Sequence, residues 1–69
     1  MKIKTEIILE DHLGTVGTFL HEFEVLPRIG EKIINPSFGG ILPETVVVND
    51  IHHDIFNDCV RIFVRAWEV

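Results

Sequence analysis

Cysteine occurs once, at Cys59, so no intramolecular disulfide can form and no disulfide framework stands in for a large core. That scarcity fits a reducing, cytoplasmic setting. No run of about 18 apolar residues occurs, and MKIKTEIILE carries two lysines with only an interrupted apolar stretch and no small-residue cleavage site. Neither a membrane span nor a secretion signal is expected. Basic residues are few as well: 6 Lys and Arg stand against 11 Asp and Glu, for a net charge of -5. Affinity for phosphate backbones comes largely from Lys and Arg displacing counterions, so nucleic acid is a disfavoured partner. A Gly-x-Ser-x-Gly elbow, a Gly-rich phosphate loop and a His-Glu-x-x-His pair are all missing, and Gly39-Gly40 alone cradles nothing. No catalytic residue, cofactor or metal ligand is assigned, and a non-enzymatic chain is expected.

The composition that remains is 46% hydrophobic and 25% charged, the balance of a soluble globular chain and too apolar for a disordered one. With 69 residues and no linker, repeat or low-complexity segment, residues 1–69 read as a single small domain. A domain near this size buries only about 60% of the surface its unfolded chain exposes, which makes self-association a natural source of extra stability.

The main signal is period two. From Lys2 to Leu9, Ile3, Thr5, Ile7 and Leu9 share one face while Lys2, Lys4, Glu6 and Ile8 take the other. Glu10 to Gly14 is a turn in which Gly14 can adopt φ > 0 and close a hairpin with a bulge. Val16 to Val25 is the return strand, with Phe19, His21 and Phe23 on one face and Gly17 allowing a bend. Leu26 to Glu31 is a corner, because Pro27 lacks an N–H and Gly30 permits a tight turn. Lys32 to Asn35 is a short strand. Pro36 to Pro43 is a loop that carries Phe38, Ile41 and Leu42, apolar residues expected to lie over the barrel or against a partner. Thr45 to His53 and Cys59 to Val69 form the last hairpin. Val46 and Val48 are even-numbered whereas Ile51 is odd, so a one-residue bulge near Asn49 or Asp50 is predicted to bring all three to one face.

Five short strands without a helical period predict an all-β chain, closed as a small five-stranded, partly open barrel. Leu26-Pro27-Arg28-Ile29-Gly30-Glu31 after an aromatic strand, a Val-rich strand ending in His, and the closing Val60-Arg61-Ile62-Phe63-Val64-Arg65 together resemble a group of short bacterial and phage proteins. Their compact barrel is similar to the Src-homology-3 fold. The resemblance implies that fold and carries no activity to these residues; the Pro36 to Pro43 loop and the His52-His53 pair lie outside its pattern.

His52, His53, Asp54, Asp58 and Cys59 surround one turn and all are metal-ligand types. Adjacent strand residues face opposite ways, so the two histidines do not converge, and a solvated turn with one buried histidine is the expected arrangement. His52 and Cys59 form the one same-face pair. His21, between Phe19 and Phe23, is expected to pack at the barrel edge with a ring nitrogen bonded to a backbone carbonyl.

The closing strand is the most informative. With Val60, Ile62 and Val64 inward, Arg61, Phe63, Arg65 and Trp67 form an outward stripe alternating cation and aromatic. Such a stripe suits a protein partner or, as the alternative, a nucleic-acid strand stacked on the rings. It can also be covered by the chain's own apolar loop, with each Arg paired to a carboxylate. The expected partner surface is Arg61, Phe63, Arg65 and Trp67 together with Phe38, Ile41 and Leu42. The expected assembly is a homodimer in which closing strands or Pro36 to Pro43 loops meet about a two-fold axis.

Overall fold

Side chains two apart on a strand share a face, and the apolar ones at that spacing decide which way a sheet bends. The computed structural model describes residues 2–34 and 45–67, and the loop residues Phe38, Ile41 and Leu42 lie outside that range. Five strands form: β1 (Ile3–Asp11), β2 (Gly14–Phe23), β3 (Lys32–Ile34), β4 (Thr45–Asp54) and β5 (Cys59–Ala66). They make one mixed sheet in the order β2-β1-β5-β4-β3, which curls through 186° as a half-barrel. Strands account for 71% of the described residues, among which there is no helix, so the all-β, partly open barrel predicted from the period is the fold. No helix long and apolar enough to cross a membrane is present among them.

Two bulges shape the curl. In the β1–β2 hairpin Leu9 pairs with Gly17 and Glu10 with Thr15, leaving Val16 as the extra residue. The turn closes through Gly14 at φ 123, where an L side chain would be strained, and the Leu13 amide donates to Asp11 Oδ1 at 2.7 Å. In the β4–β5 hairpin Val48 pairs with Val64 and Asp50 with Phe63, so Asn49 is the predicted extra residue. That bulge places Val46, Val48 and Ile51 on one face. The Leu26–Glu31 corner is structural, as expected. Gly30 at φ 91 turns its amide onto the Val48 carbonyl at 2.9 Å, and the Val48 amide donates to Glu31 at 2.9 Å. The β3–β4 ladder is thereby extended into the corner.

The core is the inward set Ile7, Leu9, Val46, Val48, Val60, Ile62 and Val64, with Phe19, Phe23, Leu26 and Ile33 packed against it. Burying each such aliphatic side chain contributes roughly 1.5–3 kcal/mol. Thr5 is fully buried among them, and its hydroxyl donates to the Ile3 carbonyl at 3.0 Å, so no polar atom is stranded. Ile8 is buried on the opposite, convex face. At the centre of the sheet β1 and β5 run parallel, from Thr5 opposite Val60 to Leu9 opposite Val64. This is a long-range seam between the two hairpins.

Candidate interaction surface

Alternation along β5 sends Val60, Ile62 and Val64 into the core and turns Arg61, Phe63 and Arg65 onto the convex face, as the period predicts. The register then supplies the neighbours. Glu6 lies opposite Arg61 across the parallel seam, and Arg61 Nε donates to Glu6 Oε1 at 3.2 Å. Arg61 Nη1 donates to Asp54 Oδ2 at 2.6 Å. Asp54 also accepts from the side-chain and backbone nitrogens of Asn57, at 2.8 and 3.0 Å. Donation by the Asn57 side chain, followed by that of Arg61, holds the Asp54 carboxyl well below the usual carboxylate range. Asp54 in turn raises the Arg61 guanidinium further above its ordinary value. This cation is committed to its own chain.

Phe63 sits between Ile8 and Asp50 in register, with the His52 ring tilted over it at 4.5 Å. His52 Nε2 meets Asp50 Oδ2 at 2.9 Å, and this hydrogen bond, together with the Ile51 amide, lowers the Asp50 carboxyl. The far end of the stripe is more open. Trp67 follows β5, donates its amide to the Thr45 carbonyl at 3.0 Å, and is 42% exposed, with Lys32 Nζ 4.3 Å from the ring centroid. Arg65 is exposed and makes no ion pair among the described residues; with Glu10, Asp11, His12 and Ala66 it lines a shallow hollow of about 440 Å³. The stripe is therefore divided, half engaged by its own chain and half open. Ile34, opposite Thr45, extends this open end, while Leu20 is exposed on the same convex face at the far edge of the sheet, beyond Glu6.

The histidines fall where alternation sends them, His52 beside Arg61 on the convex face and His53 beside Val60 on the concave one. Both are exposed, so the expected buried histidine of this turn is corrected: the hairpin end projects beyond the core. Among the described residues no group of three or more His, Cys, Asp or Glu is placed to hold a metal ion. His21 packs at the sheet edge as expected, its ring 4.6 Å from Phe23 and 6.3 Å from Phe19. It is exposed, however, and the expected bond from a ring nitrogen to a backbone carbonyl is not formed among the described residues, because the edge strand leaves the ring open to water.

Residues the period does not reveal stand at the β4–β5 turn. Ile55 and Phe56 are 87% and 95% exposed at its tip. Turn tips are ordinarily polar, and two adjacent apolar residues between Asp54 and Asn57 were the available signal. The tip is well held, by Asp54 accepting from Asn57 and by the Asp58 amide on the Ile55 carbonyl at 3.4 Å, with Asp58 at φ 50. Beside it lies a hollow of about 480 Å³ lined by Ile3, Ile55, Cys59 and Val60 and by the charged Lys2, Lys4 and Asp58. No family model, curated protein or solved structure matches this chain.

Proposed function

We propose that the chain is a non-enzymatic, cytoplasmic module of the small-barrel type similar to the Src-homology-3 fold, working by protein contact and associating first with a second copy of itself. The observation that carries this is apolar exposure: nine large apolar side chains among the described residues are open, from Trp67 at 42% to Phe56 at 95%. A one-layer sheet with its core on the concave side leaves the convex face to be covered from outside. Trp67 with Ile34, both beside Thr45, offers one such surface, flanked by Arg65.

Commitment of Arg61 to two carboxylates and the net charge of -5 weigh against the nucleic-acid alternative. Sedimentation velocity of the unmodified chain from micromolar to high micromolar concentration tests the reading. A concentration-dependent dimer is expected, and a single monomeric species throughout refutes self-association. A parallel titration with short single-stranded DNA and RNA should show no tight complex at low salt; one that weakens steeply with salt refutes protein contact as the role of the stripe.

A further inference from the structure

An isologous interface must be self-complementary, because a two-fold axis brings surface i onto surface j and j onto i in one operation. The β4–β5 end of the barrel has both halves of such a contact side by side. The knob is Phe56, nearly free of its own chain, next to Ile55, which lines the hollow. The hole is the adjacent hollow of about 480 Å³, whose apolar lining is Ile3, Ile55, Cys59 and Val60. That volume lies in the roughly 300–1,000 Å³ range of sites that take small organic groups, which is room for one phenyl ring.

Resting on the reading that the chain self-associates, we infer that its two-fold contact is made head to head by the β4–β5 turns, each Phe56 entering the hollow beside the other copy's turn. The occupant is a second copy because the charges also complement themselves. Lys2, Lys4 and Asp58 all line the hollow, and Asp58 follows Phe56 by two residues, so a copy that seats its Phe56 there brings its Asp58 toward the lysines of its mate. The knob is pre-organised as well. Asp54 accepts from both Asn57 nitrogens and from Arg61, and Asp58 is held at φ 50, so little ordering cost remains on binding. The turn is at the start of β5 and Trp67 just beyond its end, which leaves the open convex surface free for a different protein on the assembled dimer. Two tips and two hollows make a small interface, so the dimer is expected to be weak and reversible.

Sedimentation velocity on the full chain separates the possibilities, with Phe56→Ser, Asp58→Asn, and Trp67→Ser combined with Leu20→Ser as the variants. Phe56 is exposed, so Phe56→Ser should keep the unmodified thermal unfolding curve at a dilution where only monomer is present. It should raise the dimer dissociation constant at least tenfold. Asp58→Asn keeps a residue that tolerates the left-handed backbone, removes the charge, and should weaken the dimer a few-fold while reducing its salt dependence. The convex-face double variant should dimerise as the unmodified chain does. A dimer that survives Phe56→Ser, or one lost in the convex-face variant instead, overturns the tip contact while self-association stands. An unmodified chain that stays monomeric overturns both.

Discussion

Deleting one residue from a strand normally turns every later side chain to the other face, but at Asn49 it should not. Val48 already pairs with Val64 and Asp50 with Phe63, so Asn49 lies between two correctly matched pairs and its removal joins them in regular alternation. Val46, Val48 and Ile51 keep their inward positions, and the loss is the extra bend that a bulge contributes. The Asn49 deletion should therefore cost about 1 kcal/mol or less. Removing Val47 is different, because Val46 and Val48 are then consecutive and only one of them can face the core. Expelling one, each nearly fully buried, costs roughly 1.5–3 kcal/mol, and disturbing the Ile33–Val46 pairing adds to it. A chain of this length has a total stability of roughly 3–10 kcal/mol, and 1 kcal/mol moves the midpoint by about 4–8 °C. Thermal unfolding by circular dichroism at one fixed protein concentration should place the Asn49 deletion within about 8 °C of the unmodified chain and the Val47 deletion about 10 °C or more below it. Equal destabilisation by the two deletions would refute the assignment of Asn49 as the extra residue.

Ile62→Ala, at a fully buried position, should cost about 2–5 kcal/mol in urea unfolding, whereas Leu20→Ala on the exposed convex face should change stability by about 0.5 kcal/mol or less. Gly14→Ala should destabilise by roughly 1 kcal/mol through strain at φ 123, while Gly17→Ala, with an ordinary φ and open space for a Cβ, should be neutral or slightly stabilising. The Asp54 and Asp50 carboxyls are depressed by their hydrogen-bond donors. Each binds its proton less readily folded than unfolded, so their contribution is present above about pH 4 and lost as pH falls through the lower folded values. Chemical unfolding between pH 6 and 2 should show stability falling below about pH 4, with a shallower fall in Asp54→Asn; an unchanged slope in that variant would show that Asp54 does not carry the effect.

The hairpins were legible in the sequence because each rests on local signals. Gly14 marks one turn, and the phase change between Val48 and Ile51 marks the Asn49 bulge. The parallel seam was not legible, since nothing in the alternation of β1 says that Ile7 will lie beside Ile62. The same distance hides the partner of Arg61: Glu6 is 55 residues away, and only the seam brings them together. Strand ends shifted where pairing ran out. β2 begins at Gly14 rather than Val16 because the hairpin ladder reaches the turn, and it stops at Phe23 rather than Val25 because β1 offers no partner beyond Ile3. The exposed tip is not legible in the sequence for another reason. Composition marks Asp54 to Asp58 as a turn, but whether Ile55 and Phe56 fold back or stand clear depends on tertiary packing.

The seam between β1 and β5 also sets the order in which this chain can acquire its shape. Each hairpin brings residues together across a short turn, and closing such a loop is fast, on the order of microseconds. Joining Thr5 to Val60 requires closure over nearly the whole described chain, which is slower and rewarded only when both hairpins present their apolar faces. Until then Ile7 and Leu9 wait on one arm for Ile62 and Val64 on the other. The barrel is in this sense two arms and one clasp. A chain divided between β2 and β3 would leave each fragment with its own hairpin and one side of the seam, and mixing the fragments should restore the sheet without any peptide bond linking them.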